Sequence, residues 1–121
     1  MNSFYLNGYL WRVKFLDPYS DELVDRTGEL RVATTDPLTN TIFLSRALTG
    51  NFRARVFLHE LGHAVMISYN MLDEIHRMVK PRYWVEVEEW VCNFIADYGS
   101  KIFKTANGII GEDIWEVEPY E

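Results

Sequence analysis

The sequence predicts a small α+β domain in which a sheet of about three strands packs against two long helices. Short segments rich in β-branched and aromatic residues fall within the first 45 residues, and two longer segments with helical periodicity follow them. The 121 residues are 48% hydrophobic and 15% aromatic, which suffices for one packed core. We assign residues 1–106 to this domain and residues 107–121 to an acidic C-terminal tail.

Three strands are predicted in the first part of the chain. Residues 9–16 alternate loosely and contain Trp, Val and Phe, which favour strands. Residues 29–35 alternate between polar and apolar side chains and form the second strand, and residues 41–45 form the third. Because residues 36–40 have turn chemistry, we expect the second and third strands to pair as a hairpin.

The first predicted helix runs from about Asn51 to about Asn70. Asn51 is suited to an N-cap and Asn70 to a C-terminal cap. Residues 56–58 and 64–67 place apolar side chains on every face of this helix. A helix that is apolar all round is buried, so we expect it to lie inside the domain.

The second predicted helix covers residues 83–103 and follows a connector, residues 71–82, with at most a short helical turn. One face of the helix carries a polar stripe. The opposite face is apolar and carries Val87, Trp90, Val91, Phe94, Ile95 and Tyr98. The tail contains glycines, a proline and five acidic residues, and we expect it to be irregular, with Ile114 and Trp115 fixing part of it to the domain.

Composition argues against several classes of function. A net charge of −6 and a pI near 5.0 disfavour direct nucleic-acid binding as the main activity. The single cysteine, Cys92, excludes an internal disulfide and suits a reducing compartment, and we expect it to pack in the core. No stretch is apolar for long enough to span a membrane, and the N-terminal residues lack the apolar region of a signal peptide. These features predict a soluble, cytoplasmic protein.

The most specific signal in the chain is the pentapeptide His59-Glu60-Leu61-Gly62-His63, which reads H-E-x-x-H. The two histidines lie about 40° apart around a helix, so both imidazoles can ligate one Zn²⁺ ion. Glu60 is offset by about 100°, which suits a general base acting on water better than a ligand. The alternative is two unrelated histidines on a surface helix, but buried polar side chains need partners, and a metal supplies one.

Gly62 is a costly residue for the middle of a helix. Glycine there is less favourable than alanine by about 1 kcal/mol. It lies beside His59 on the helix surface, so we expect another backbone to come close to the helix at this point.

A catalytic zinc usually has three protein ligands and one open position, so the second helix should supply the third ligand. The candidates are Glu86, Glu88 and Glu89. We favour Glu89, because Asn93 follows it by four residues and can hydrogen-bond a ligating side chain. Glu86 ranks second and Glu88 third. The alternative is that these glutamates simply face water, as on any amphipathic helix.

The pentapeptide, followed by Glu89-x-x-Cys92-Asn93-x-Ile95-Ala96, resembles the ImmA/IrrE family of gluzincin metallopeptidases over about residues 28–100. That family pairs a HELGH-type helix with a later glutamate in an E-x-x-A-N-x-F-A-like stretch, and a short strand like residues 41–45 precedes the helix. Cys92 stands where alanine is usual, and Ile95 stands where phenylalanine is usual. The usual Leu-Leu-x-Pro run after the second helix is absent from this sequence.

The resemblance implies a zincin-like fold and a Zn²⁺ ion held by His59, His63 and Glu89, with Glu60 as the general base. It implies a zinc peptidase of the bacterial or phage world that hydrolyses a peptide bond in a protein substrate, with a helix-turn-helix repressor as a candidate. By analogy with the family, the substrate would extend along residues 41–45 as an edge strand.

Three further side chains, which fall between the two motifs, are candidates for stabilising an oxyanion: Tyr69, His76 and Tyr83. The alternative function is a catalytically weak module of the same fold that sequesters a protein partner. The intact Glu60 favours the enzyme, because a scaffold has no need of a base between two ligands.

Overall fold

A computed structural model describes residues 2–25 and 27–118 and confirms the α+β class. The sheet has four strands, which are β1 (Ser3–Leu6), β2 (Tyr9–Leu16), β3 (Ala33–Asp36) and β4 (Thr41–Ser45). Three helices follow the sheet in the chain, and these are α1 (Gly50–Ser68), α2 (Met71–Met78) and α3 (Trp84–Ile110).

Strand β1 is the strand that the sequence analysis missed. It pairs antiparallel with β2 through a two-residue turn, Asn7 and Gly8, whose φ angles are 50° and 79°. Two positive φ angles are typical of the hairpin turn that an Asn-Gly pair favours, so this dipeptide was the signal for an additional strand. The Asn7 side chain donates a hydrogen bond to the Ser68 carbonyl (2.9 Å), which ties the hairpin to the end of α1.

The strands lie in the order β1-β2-β4-β3, with β2 and β4 parallel and the other pairs antiparallel. The predicted pairing of β3 with β4 is confirmed, although β3 begins at Ala33 rather than at residue 29. The prediction that residues 41–45 form the edge strand is wrong. Strand β4 is central and four of its five residues are buried, whereas β3 is at the edge and its residues are half-buried.

Helix α1 matches the prediction closely at its C-terminal end. Asn70 follows the helix in the left-handed conformation (φ 59°), which suits asparagine after a helix terminus. At the other end, Thr49 occupies the N-cap position that was predicted for Asn51. The predicted connector is largely helical, because α2 occupies Met71–Met78.

Helix α3 extends beyond its predicted end near residue 103 and stops before Gly111, whose φ is 86°. The irregular conformation predicted for the tail is therefore wrong for residues 107–110, and Glu112–Glu116 form a 3₁₀ turn. Residues 119–121 of the predicted tail lie outside the described residues. None of the helices in the described part of the chain combines the length and hydrophobicity that a membrane span needs.

The core consists of two apolar clusters on either side of α1. One lies between α1 and the sheet, and its buried members are Trp11, Val13, Ile42, Leu44, Leu48, Val56 and Ala64. The other joins α1, α2 and α3 through Met66, Ile75 and Cys92. The Trp11 ring is fully buried and its Nε1 donates a hydrogen bond to Ser68 Oγ (2.7 Å). Helix α1 is thus held from both sides.

Candidate metal centre

His59 and His63 lie on one face of α1, as their spacing predicts. Their Nε2 atoms are 3.2 Å apart, and their ring planes meet at 69°. Both side chains are largely buried, with 16% and 11% of their surface exposed. Two imidazole nitrogens at this separation can share one cation.

Glu89 on α3 reaches both imidazoles. Its Oε2 lies 3.1 Å from the Nε2 of His59, and its Oε1 lies 3.2 Å from the Nε2 of His63. In a tetrahedral zinc site with ligands at 2.0–2.1 Å, neighbouring ligand atoms are about 3.3 Å apart. The separations of these nitrogen and oxygen atoms therefore fit a zinc ion that is ligated by His59, His63 and Glu89.

Glu60 is a second carboxylate near the Nε2 atoms of the two histidines. The ligand atoms of His59, Glu60 and His63 all lie within 4.8 Å of one another. The Oε2 of Glu60 is 3.8 Å from the Nε2 of His59, however, which is farther than Glu89 is. Glu89 is therefore the better candidate for the third ligand, and Glu60 occupies the offset position predicted from the helix.

Each histidine makes a hydrogen bond through its other ring nitrogen. The Nδ1 of His59 lies 2.9 Å from Asn93 Oδ1, and the Nδ1 of His63 lies 2.6 Å from Glu88 Oε2. Both oxygens are acceptors, so each Nδ1 donates, and each Nε2 is left to face the shared position, where it can bind a metal once it carries no proton. Such bonds orient histidine ligands in metal sites.

The three candidate glutamates thus differ in their positions. Glu89 faces both Nε2 atoms, whereas Glu88, ranked third as a ligand, bonds the outer nitrogen of His63. Glu86, ranked second, is exposed and makes no hydrogen bond or ion pair with either histidine in the described structure. Asn93, which we expected to hydrogen-bond a ligating side chain, bonds the Nδ1 of His59, one of the candidate ligands.

Thr35 is a residue of the site that the sequence analysis missed. It lies on the edge strand β3, and its hydroxyl donates a hydrogen bond to Glu60 Oε1 (2.8 Å). Glu60 itself is buried, with 8% of its surface exposed. The contact depends on how the sheet packs on α1, so no pattern within β3 alone could have revealed it.

The charges within the cluster reinforce one another. Burial disfavours the charged form of His63, but the neighbouring Cys92, Glu88 and Glu89 side chains outweigh it and raise the pKa of His63 well above its ordinary value. Hydrogen bonds from His59 and His63 lower the pKa of Glu89 below its ordinary value. The site therefore favours positive charge between the two Nε2 atoms and the Glu89 carboxylate, where a metal cation would bind.

Gly62 allows α3 to approach α1 closely. A Cβ atom at this position would lie 3.1 Å from Cys92 Sγ and 3.3 Å from Cys92 Cα. The predicted close approach of another backbone is thereby confirmed, and Cys92 is fully buried in the core, as expected. Burial raises the pKa of its thiol. This crossing brings Glu88 and Glu89 within reach of the histidines.

Tyr69, His76 and Tyr83 do not join this cluster. The His76 ring stacks on Trp84 with a centroid separation of 3.8 Å. Tyr69 and Tyr83 have 36% and 40% of their surface exposed. Within residues 2–25 and 27–118, none of these three side chains hydrogen-bonds to the histidines or to Glu89.

A cleft of about 220 Å³ opens beside His59 and Glu60. It lies between the segment leading into β3 and the neighbouring faces of α1 and α3, and it is lined by Arg31, Val32, Ala33, Phe52, Arg55, Val56, His59, Glu60 and Asn93. The two arginines are already ion-paired, Arg31 with Asp25 (2.7 Å) and Arg55 with Asp97 (2.6 Å). The cleft gives a bound molecule access to the cluster from the sheet edge.

Comparisons with family models, with curated proteins and with solved structures gave no match. The resemblance to the ImmA/IrrE family therefore stays a prediction from the two motifs. What the chain offers on its own is a His-His-Glu cluster with the spacing of a zinc site, a buried glutamate beside it and an open cleft.

Proposed function

We propose that this protein is a zinc-dependent metallopeptidase that hydrolyses a peptide bond in a protein substrate. The observation that carries the proposal is the set of three separations, 3.1 to 3.2 Å, among the Nε2 atoms of His59 and His63 and the Glu89 carboxylate. Zn²⁺ bound there would lower the pKa of a water ligand to about 7 and polarise the scissile carbonyl.

Within this proposal, the protein side chains have separate roles. His59, His63 and Glu89 would hold the metal, while Asn93 and Glu88 would fix the two imidazole rings. Glu60 would act as the general base, taking a proton from the attacking water and delivering it to the leaving nitrogen. The hydroxyl of Thr35 would keep the Glu60 carboxylate in place (2.8 Å).

The substrate would lie extended along the outer edge of β3. In the described sheet, β3 pairs with β4 on one side and with no strand on its outer side, where a substrate could add as a further strand. The cleft that reaches His59 and Glu60 is lined by residues 31–33 at the start of this strand. This assignment replaces the central strand β4 that the sequence analysis favoured.

The family resemblance makes a helix-turn-helix repressor, of the kind that phages encode, the first protein to test. A cytoplasmic location would follow from such a target. The competing function is a binding module that sequesters its partner without cutting it.

The test uses the purified 121-residue protein and its Glu60→Gln variant. Both should contain about one zinc per chain by elemental analysis, because Glu60 is not among the proposed ligands. Only the wild-type protein should cleave a candidate repressor, with a loss of about 10²-fold or more in the variant. Equal cleavage by both proteins would refute the role of Glu60, and tight binding without cleavage by either would favour the binding module.

A further inference from the structure

Helix α3 turns Glu89 and Asn93 toward α1 and a row of large apolar side chains toward solvent. Glu89 and Asn93 reach the histidines of α1, and Cys92 and Ala96 are buried. The aromatic stripe, defined as Trp90, Phe94, Tyr98 and Ile102, has exposed fractions of 65%, 43%, 54% and 47%. A contiguous exposed apolar surface of this kind is typical of an interaction site.

The side chains of the aromatic stripe are regularly arranged along the helix. Its members are four residues apart, so they follow one row along the helix. The rings of Trp90 and Phe94 are stacked 5.7 Å apart at an interplanar angle of 4°, and Phe94 and Tyr98 are 5.8 Å apart. Aromatic residues are enriched at the centres of protein interfaces, where they contribute much of the binding energy.

The C-terminal segment does not cover this stripe in the described chain. After Ile110 the chain turns back, and Trp115 packs on Phe103 with a centroid separation of 5.6 Å. Phe103 follows Phe94 by nine residues, which puts it about 180° away around the helix. The segment that ends at residue 118 therefore packs on the opposite side of α3.

We propose that the aromatic stripe is the interface of a homodimer in which two copies of α3 pack antiparallel. The flanking charges favour a second copy of this chain in this orientation. Glu86 and Lys104 are both exposed, lie nine residues on either side of Ile95, and share one angular position on the helix. An antiparallel twofold pair brings each Glu86 opposite the Lys104 of the second copy, whereas a parallel pair keeps the two residues at opposite ends of the helices, where they cannot pair.

The two kinds of contact have different roles in this dimer. The stacked rings bury apolar surface and supply the affinity. The exposed ion pairs add little affinity, but they select the antiparallel orientation over the parallel one. The dimer requires neither a metal ion nor peptidase activity, so this inference stands apart from the proposed function.

Sedimentation velocity over a wide range of protein concentrations tests the dimer. The wild-type protein should shift from the 14.3 kDa monomer toward twice that mass as its concentration rises. Tyr98→Glu should raise the dissociation constant by at least about tenfold. Tyr19→Glu is the matched control, because Tyr19 is 81% exposed and lies far from α3 in the chain, in the loop after β2.

Charge exchange tests the orientation. Glu86→Lys and Lys104→Glu should each weaken the dimer, and the double variant should recover the wild-type dissociation constant. Helix content and melting temperature, measured for every variant, separate loss of association from loss of folding. A wild-type protein that is monomeric at all concentrations, or a dimer that Tyr98→Glu leaves intact, would overturn the interface. Failure of the double variant to recover would overturn the antiparallel arrangement.

Discussion

Glu88 and Glu89 are neighbours in the chain, yet they contact different atoms of the histidine pair. Glu89 faces both Nε2 atoms, and Glu88 accepts a hydrogen bond from the Nδ1 of His63. That the two histidines share a face is predictable, because it depends only on the geometry of one helix. Which glutamate faces which histidine nitrogen depends on how α3 crosses α1. The sequence of α3 alone does not contain that information.

The Glu89 assignment predicts a difference between two alanine variants. Glu89→Ala removes a proposed ligand and should lower zinc affinity by more than about 100-fold, the upper range for residues that only support a ligand. Glu86→Ala, which changes an exposed glutamate on the same helix, should leave the affinity unchanged. Competition with a chromogenic chelator measures both. A larger loss of zinc affinity from Glu86→Ala would indicate that Glu86, and not Glu89, is the third ligand.

The raised pKa of His63 predicts that zinc binding releases protons. The raised pKa favours the charged form of this histidine, with protons on both ring nitrogens, in the metal-free protein, and zinc must displace the Nε2 proton. Zinc affinity should therefore rise with pH. The protonated histidine stabilises the metal-free fold fully below its ordinary pKa, and that contribution is lost as pH rises through the raised pKa.

Calorimetry of zinc binding at neutral pH, in buffers of different ionisation enthalpy, counts the released protons. A binding enthalpy that does not change with the buffer would contradict a protonated His63. Glu88→Gln offers a comparison, because it replaces the carboxylate that accepts the Nδ1 hydrogen bond with a neutral amide. Fewer protons should be released by this variant than by the wild-type protein.

Whole elements were predictable to differing degrees. Strands β2 and β4 and the cores of α1 and α3 follow from periodicity, whereas β1 and α2 are short and were missed. The order of strands in the sheet was not predictable, because β3 lies between β2 and β4 in the chain but outside them in the sheet. Which strand is central is decided by tertiary packing.

The crossing of α1 and α3 predicts that Gly62→Ala destabilises the protein despite alanine's higher helix propensity. The new Cβ would lie 3.1 Å from the Cys92 thiol and 3.3 Å from its Cα, so the Cys92 side chain and the α3 backbone must shift by a few tenths of an ångström. We expect a loss of about 1–3 kcal/mol in the free energy of unfolding, together with weaker zinc binding.

Gly108→Ala is the matched control for this substitution. Gly108 also lies within a helix, but a Cβ there meets no atom within 4 Å. This variant should be as stable as the wild-type protein or gain up to about 1 kcal/mol. Chemical denaturation of both variants provides the comparison. A stabilising Gly62→Ala would show that the helix crossing tolerates a side chain at this point.

At the scale of the whole molecule, α1 provides most of the contacts between the sheet and helix α3. The sheet packs on one side of α1 and α3 on the other, and the candidate metal centre bridges α1 and α3. The fold class was predictable because the strand-rich and helical segments are separate in the sequence. The exposure of the aromatic face of α3 was not predictable, because an apolar helix face normally packs against the rest of its own domain.

The bridging position predicts that zinc stabilises the entire fold. Free zinc at about 100 times its dissociation constant should raise the free energy of unfolding by about 2.7 kcal/mol. Thermal melts with and without a chelator would show this as a shift in melting temperature. His59→Ala should abolish the shift, and His76→Ala should retain it, because His76 stacks on Trp84 instead. A zinc-dependent shift in the His59→Ala variant would contradict the site.

The hydrogen bond from Thr35 to Glu60 has a consequence for substrate selection under the proposed function. The hydroxyl that orients the base belongs to the strand on which a peptide would align. A peptide that pairs out of register would pull on β3 and so on the carboxylate itself. Strand alignment and proton transfer would then depend on each other. A misaligned peptide would displace the Glu60 carboxylate as well as its own scissile bond, and both shifts would slow hydrolysis.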